Sequence, residues 1–507
     1  MNSFFGLNVG VKSLFASQAA LNTINHNISN ADTVGYSRQV VSQKASRALS
    51  TSNGSGMVGT GVNIESIVQI RNVFLDQRYW QENTQYGEYS VKSASLSELE
   101  SLLSGASDDG LDDALNSFTS AMEDLANDPS DDSARSALAA EGSALCEYLN
   151  NMYGTLEDLL AENNSAVKAK VDEINSLAKQ IGVLNQQIYK SESTGDTASD
   201  LRDQRTVLIN QLSGIADVEV KEVSFGTLAN GKKDLRFSVK INGVSLVNHF
   251  SVNELECSEN SDGTYGVQWA ETHNKVSFSG GEIKGYLDMC QGDGSDGEFK
   301  GIPYYMNQLN RFARSLAKAY NEGVYADGES HSSGHAGGVG LDESTGVRFF
   351  SYEEKSTAEL MNSGTDMDGI YANITAGNLS LSSDVLNDTD KIAASSTAGE
   401  AENSDNLTEL IEMFDDSEVF DNGTPEDYVN GLYATIGIET ALASRLANIH
   451  ENVVGLIDSH KTSISGVSLD EETSNLIKYQ LAYSAAAKVI SVMDEILDVT
   501  INSLGAG

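Results

Sequence analysis

The clearest hydrophobic pattern lies at the C-terminal end, in residues 465–507. Apolar residues recur every seven positions, and a second row follows three positions after the first, which predicts a helix with a coiled-coil seam. Ser468 followed by Glu471 predicts a capping box at its start. The seam that we expect to take part in assembly contains Leu476, Tyr479, Tyr483, Ala486, Ile490, Met493, Leu497 and Leu504.

The opposite end of the chain has a matching pattern. Residues 1–36 contain two charged side chains, Lys12 and Asp32. The predicted seam contains Phe4, Leu7, Val11, Leu14, Gln18, Leu21, Asn25 and Ile28. Polar seam residues such as Gln18 and Asn25 typically fix the register of a helix pair. An ordinary amphipathic terminal helix is the alternative, but the low charge on all sides favours a helix that a packed assembly covers.

Between these ends the chain is mostly helical in pattern. A Gly-rich connector over residues 40–70 is predicted to be extended or hairpin-like. Helical periodicity then continues from about 72 to 213, with a phase shift near Asn163 that permits one long helix or two stacked helices. Shorter helices are expected at about 72–104, 111–127 and 198–213.

The period changes to two at Asp217, and Asn-Gly, Asp-Gly and Gly-Gly turns separate the strand-like pieces. Helical patterns return at about 299–323, 403–415 and 426–464. The order is nested, because each N-terminal element has a C-terminal counterpart. We therefore predict a mainly α fold with inserted β structure, in which paired terminal coiled-coil helices, a helical-bundle rod and a central β domain form an elongated multidomain molecule.

Three domains are expected from this nesting. The predicted division is a terminal coiled-coil and connector domain (1–71 with 465–507), a helical bundle (72–216 with 288–323 and 371–464) and a β-rich outer insert (217–287 with 324–370).

Composition and charge argue against some classes of function. The chain has 507 residues, of which 32 are Lys or Arg and 74 are Asp or Glu, so its net charge is −42. Phosphate backbones repel such a chain, which argues against nucleic acid as a partner. No apolar run is long enough for membrane insertion. The N-terminus lacks the features of a Sec-type signal peptide, so we expect a cytoplasmic protein or one exported without a cleaved leader.

Candidate chemistry is weak throughout. The two Gly-x-Gly-x-x-Gly stretches, at Gly54 and Gly292, do not stand between a strand and a helix, so a dinucleotide site is not supported. His331 and His335 are four apart but lie in a poor helix without a third ligand. The three cysteines are far apart in sequence and suggest neither a disulfide framework nor a zinc site. We predict that the protein is not an enzyme and has no catalytic residue, cofactor or metal.

Residues 28–39 carry a recognisable motif. Asn30, Thr33, Gly35 and Tyr36 resemble the N-terminal signature Asn-x-x-Thr-x-Gly-Tyr of the bacterial flagellar axial proteins, which form rod, hook and junctions. The runs 466–490 and 388–395 are similar to the members of that family that join hook and filament.

The resemblance implies a structural subunit of the hook–filament junction that has no cofactor and is needed for motility. It implies export through the flagellar type III apparatus, with an export chaperone and without a cleaved signal peptide, to an extracellular position in the flagellum. The expected partners are copies of the chain itself, the hook protein, and a second junction protein or flagellin. A hook or distal rod protein is one alternative, and an acidic surface adhesin or hydrolase with coiled-coil ends is another.

Overall fold

The computed structural model describes residues 5–50, 56–104, 110–228 and 230–500. The helices in these ranges are α1 (Phe5–Ser29), α2 (Val73–Ser104), α3 (Leu111–Asn127), α4 (Asp132–Ser193), α5 (Ser199–Ile215), α6 (Glu282–Gln291), α7 (Ile302–Glu322), α8 (Gly334–Gly337), α9 (Thr357–Met361), α10 (Met367–Tyr371), α11 (Ser383–Asn387), α12 (Asp405–Asp415), α13 (Pro425–Ser465) and α14 (Leu469–Asp498).

The strands are short by comparison. They are β1 (Gln39–Ala45), β2 (Leu49–Ser50), β3 (Met57–Val58), β4 (Val62–Gln69), β5 (Glu219–Thr227), β6 (Lys233–Ile241), β7 (Val244–Asn248), β8 (Ser251–Val252), β9 (Leu255–Glu259), β10 (Tyr265–Trp269), β11 (Phe350–Tyr352) and β12 (Leu379–Leu381).

The helices pair in the nested order that the sequence predicts. Helix α1 packs along α14, and α2 packs along α13. Helix α4 is one uninterrupted helix of 62 residues, so the first of the two predicted alternatives, a single long helix, is correct. At 1.5 Å per residue it is about 93 Å long. The predicted fold class, an elongated and mainly helical molecule with inserted sheets, is confirmed.

Two separate hydrophobic cores hold the rod together. The first core combines the end of α2 with α3, the first part of α4, α7 and α12. The second core combines Trp80 of α2 with the later part of α4, α5 and strands β6 to β10. Along α2, the second core lies nearer to the terminal helices and the first core lies farther away.

The inserted sheet follows from local sequence. Strands β5 to β8 form an antiparallel sheet in chain order. Asn242 and Gly243, with φ of 46° and 78°, form the two-residue turn between β6 and β7 that both positive angles permit. The alternate residues Phe237, Val239 and Ile241 of β6 are buried, and they belong to the second core.

One predicted grouping is wrong. Residues 324–370 were expected to join 217–287 in an outer insert, but their buried tyrosines and phenylalanines belong to the first core. Phe349 and Phe350 lie against Phe118 of α3, with ring centroids 5.7 and 5.8 Å apart. The many glycines and serines of this segment dominate its composition, so its composition gives no sign of the two buried phenylalanines. The remaining domain division stays a prediction.

Candidate functional site: the terminal helices and their junction with the rod

The predicted seam of α14 runs along its least exposed side. Six of its residues are half-buried and Ala486 is buried, whereas Leu481, outside the predicted row, is 67% exposed. The half-buried residues are Leu476, Tyr479, Tyr483, Ile490, Met493 and Leu497. Two further predicted members, Phe4 and Leu504, lie outside the described residues.

Helix α1 meets α14 through smaller residues than the sequence predicts. A Cβ atom placed on Gly6 would lie 2.5 Å from Met493 Cε, and one placed on Gly10 would lie 3.1 Å from Ile490 Cγ1. Small residues at these positions allow the helix axes to approach closely. At heptad steps from these glycines the chain has further buried residues: Ser17, Ala20, Ile24 and Asn27.

The predicted seam residues of α1 therefore lie beside this contact row. Leu7, Val11, Leu14, Leu21 and Ile28 are half-buried, and Gln18 and Asn25 are exposed. The expectation that Gln18 and Asn25 fix the register of this helix pair is wrong, because both side chains are exposed. Hydrophobic periodicity detects large apolar side chains and gives no signal for the glycines that make the contact. That these residues contact other copies of the chain remains a prediction.

The signature residues form the turn that ends α1. Asn30 Nδ2 donates to the carbonyl of His26 at 2.9 Å, and Thr33 Oγ1 donates to Asn30 Oδ1 at 3.3 Å. Gly35 has a φ of 77°, and a Cβ atom there would lie 2.3 Å from Val207 Cγ2. The turn thus needs glycine for its backbone and for its contact with α5.

The fourth signature residue, Tyr36, is hydrogen-bonded to the buried side-chain amide of Asn27. Tyr36 donates its hydroxyl hydrogen to Asn27 Oδ1 at 2.8 Å, and the Gln39 backbone N–H donates to the same oxygen at 3.0 Å. Asn27 Nδ2 donates to the Gln39 carbonyl at 2.9 Å and to Glu472 Oε2 at 3.1 Å. Asn27 is 1% exposed, so its donors and acceptors are satisfied within the protein.

Glu472 receives a second contact from the segment between α1 and β1. Arg38 Nε donates to Glu472 Oε1 at 2.7 Å, and Arg38 Nη1 donates to Glu471 Oε2 at 2.8 Å. Glu472 is 1% exposed, and burial of a carboxylate requires such pairing. Ser468 caps the helix by accepting from the Glu471 N–H at 3.4 Å, so its half of the predicted capping box is present.

A second set of hydrogen bonds and ion pairs ties the residues that flank the connector to the rod. Ser37 donates from its N–H and its hydroxyl to Asp203, at 2.9 and 2.8 Å. Arg71 reaches both Asp203, at 3.4 Å, and Asp76, at 2.6 Å. Lys461 of α13 also contacts Asp76, at 3.1 Å. We call the whole set the junction network: Asn27, Tyr36, Ser37, Arg38, Arg71, Asp76, Asp203, Lys461 and Glu472.

Burial dominates the electrostatics of the network. It raises the pKa of the Asp203 carboxyl above its usual value, although hydrogen bonds from Ser37 and the charge of Arg71 oppose the shift. Burial also raises the pKa of the Tyr36 hydroxyl, and the nearby carboxylates of Asp200, Asp203 and Glu472 add to the effect. Tyr36 therefore acts as a neutral hydrogen-bond donor.

A groove of about 730 Å³ opens beside the turn, between it and the helices α4 and α5. Val183, Val207 and Leu208 supply apolar lining, and Val34 at its rim is 85% exposed.

The two histidines of the candidate metal pair lie in different environments. Across the described ranges, no group of three or more His, Cys, Asp or Glu side chains could hold a metal ion. His335 is fully buried and bonded to backbone groups, and His331 lies at the surface against Asp327. No helix within those ranges is long and apolar enough to cross a membrane.

Sequence reasoning did not single out the members of this network outside the signature. Glu472 is one of three acidic residues in the first turn of α14, where the helix dipole favours any carboxylate. Asp203 and Asp76 likewise stand among many acidic residues. The available signal was the position of Ser37, Arg38 and Glu472 within the two stretches that carry the family resemblance.

Family models match two long stretches of the chain. Residues 96–350 match the flagellar hook-associated protein FlgK helical domain, and residues 460–504 match the flagellar basal body rod FlgEFG protein C-terminal region. The second match covers the whole of α14, and the first contains the helix α4.

Individual relatives match over almost their whole length. Flagellar hook-associated protein 1 of Bacillus subtilis strain 168 is 32% identical over 527 residues, which cover 100% of this chain and 99% of the relative. The protein of the same name in Escherichia coli K12 is 26% identical, with 98% and 99% coverage. A solved structure, described as the flagellar hook junction protein FlgK from Burkholderia pseudomallei, covers 77% of this chain and 100% of its own, with a TM-score of 0.60 at 15% identity, and so shares the fold.

Paired terminal helices, a long helical rod and a rod-protein C-terminal match define a flagellar axial protein. The relatives that match over the full length identify the family within this class. The chain belongs to the family of flagellar hook-associated protein 1. It is thus a member of a family of structural flagellar proteins.

Proposed function

We propose that this protein is a structural subunit of the hook–filament junction and that it assembles through its terminal helices. The observation that carries the proposal is the two-sided character of α14. One side of that helix lies against α1, while Ile477, Leu481 and Val492 on other sides are 55%, 67% and 45% exposed. Exposed apolar rows of this kind mark protein contacts.

The charge distribution supports packing of copies against one another. Residues 1–71 carry a net charge of +3 and residues 465–507 a net charge of −4, so the terminal region contributes −1 to the chain's −42. A tube wall built from the terminal region therefore avoids the repulsion that the acidic rod would cause.

A second exposed surface lies next to α1. Phe15 is 60% exposed, and the hairpin of β1 and β4 places Ile64, Ile67 and Val68 at the surface. A two-stranded hairpin is marginally stable alone. Contacts with neighbouring copies would stabilise both features.

The further partners follow from the family. We propose that the assembled subunits contact the hook protein on one side and a second junction protein or flagellin on the other. We also propose export through the flagellar type III apparatus with a chaperone and without a cleaved leader, to an extracellular position at the end of the hook. No catalytic role is proposed.

Gene deletion tests the function. Cells without the protein should carry hooks that lack filaments and should release flagellin into the medium; normal filaments would overturn the proposal. The alternative, a hook or distal rod protein, predicts instead that hooks themselves are missing.

A substitution tests the surface. Leu481→Asp should leave the isolated protein folded but should fail to restore filaments in the deletion strain. Val244→Asp, on the inserted sheet and 44% exposed, is the matched control and should restore filaments. Equal rescue by both variants would show that the exposed side of α14 is not an assembly surface.

A further inference from the structure

The two cores of the rod are separated by a layer of polar side chains. Three helices pass from one core to the other: α2 between Trp80 and Leu96, α4 between Leu159 and Val167, and α6 between Ile283 and Met289. Each helix places polar residues at the crossing point, beside the buried Val91 of α2. They are Glu88, Lys92 and Ser95 in α2, Asn163 in α4, and Lys284 and Asp288 in α6.

The centre of the layer is a buried ammonium group. Lys92 Nζ lies 2.6 Å from Glu88 Oε1 and 2.6 Å from Asp288 Oδ2. Lys284, which is partly exposed, pairs with the other oxygen of Asp288. Lys92 is 5% exposed, and its positive charge also lies 4.5 Å from the centroid of the Phe299 ring.

Helix α4 contributes an amide to the same layer. Asn163, which is buried, accepts from the Ser95 hydroxyl at 3.0 Å and donates to the Leu159 carbonyl at 2.9 Å. The layer is therefore satisfied internally, and it contains two positive and two negative groups. The polar groups of the layer bond to one another, so the layer contains fewer of the close apolar contacts that join the parts of a single core.

We propose that this layer divides the rod into two units that open independently, although α4 runs through both without a break. The second core, which buries fewer large side chains, opens while the first core stays closed. Parts of a protein that differ in stability can unfold separately as cooperative units. Replacing the layer by apolar side chains would join the cores into one cooperative unit.

Hydrogen exchange of the full-length protein tests the proposal within a single helix. We expect amides of α4 at 167–181 to exchange at least about tenfold faster than those at 138–159 in moderate urea, with the change of rate near Asn163. The two tryptophans of the chain, Trp80 and Trp269, both belong to the second core. Their fluorescence should therefore change at the urea concentration that releases 167–181. Equal exchange of both halves of α4 would overturn the proposal.

Variants test the role of the layer. Lys92→Leu combined with Glu88→Leu and Asp288→Leu should remove the difference in exchange between the two halves of α4. A matched control replaces the exposed pair Lys179 and Glu254, which are 3.0 Å apart, by leucine and should keep the difference. Should the triple variant fail to fold, Asn163→Leu alone is expected to reduce the difference. If the difference survives intact in the folded layer variants, the layer does not separate the units.

Discussion

Asn27 and Glu472 lie 445 residues apart in sequence and are joined by a 3.1 Å hydrogen bond from Nδ2 to Oε2. The bond links the last turn of α1 to the first turn of α14 at the point where both helices leave the rod. Because Arg38, just before β1, binds the same carboxylate, the two terminal helices are joined to each other and to the chain that follows α1 at one place.

This relationship predicts unequal effects for two neighbouring glutamates. Glu472→Ala should leave Arg38 and Asn27 without their buried partner and should lower the local free energy of opening of α14 by about 3 kcal/mol. Hydrogen exchange of α14 in the isolated protein measures the effect. Glu471→Ala removes the more exposed partner of the same arginine and should cost about 0.5 kcal/mol. Equal losses would mean that Glu472 is not the anchor.

The close approach of α1 and α14 predicts sensitivity at Gly10. Gly10→Leu would overfill the space beside Ile490 and should weaken the helix pair by about 2 kcal/mol. Faster hydrogen exchange in α14 would report the loss. Phe15→Leu, at an exposed position on the same helix, should leave exchange unchanged, and an unaffected Gly10→Leu variant would contradict the observed packing.

The signature glycine predicts a cost with two separable parts. Gly35→Ala should destabilise the turn by about 2 kcal/mol, because the backbone is left-handed and the new Cβ atom would overlap Val207. Urea unfolding measures the change. Adding Val207→Ala removes the overlap but not the backbone strain. The double variant should therefore be more stable than the sum of the single changes implies, and simple additivity would exclude the steric part.

His335 predicts loss of stability in mild acid. It donates from Nδ1 to the Val347 carbonyl at 2.8 Å and accepts from the Ala393 N–H through Nε2 at 2.9 Å, which requires the neutral ring. Burial lowers its pKa from 6.5 to about 4, and the positive charges of Arg135 and Arg348 add to the shift. The unfolded chain therefore binds a proton that the folded chain does not, between pH 6.5 and about 4. The free energy of unfolding should fall by about 3 kcal/mol as the pH decreases through this window.

A substitution checks the assignment. His335→Gln should lower stability at neutral pH and flatten its decline below pH 6.5, as measured by urea unfolding at several pH values. His331→Gln is the control, because Asp327 raises the pKa of that histidine. The control should keep the decline, and an unchanged decline in His335→Gln would assign it to other groups.

Long periodic helices were predictable because their pattern repeats over many turns. The expected helix at 111–127 coincides with α3, and the one at 426–464 differs from α13 by one residue at each end. The contact row of α1 was not predictable in the same way. Gly6 and Gly10 carry no hydrophobic signal, and their role depends on the shape of Met493 and Ile490 opposite them.

The junction was predictable in position but not in detail. The signature marked the turn at Gly35 and Tyr36 from sequence. Which carboxylates are buried there was not readable, since Asp203 and Glu472 differ from other acidic residues only in what folds over them. The placement of residues 324–370 failed for a related reason, because two phenylalanines at 349–350 outweigh a long polar and Gly-rich surrounding.

The continuous helix α4 can transmit a force from the terminal helices to the first core. A pull or twist applied at the terminal helices enters the rod through the ion pairs of Asp203 and Asp76. It then passes through α5 and the sheet to a helix whose backbone hydrogen bonds continue unbroken for 62 residues. A force on the terminal helices therefore reaches the first core along one continuous helix and not across a loop.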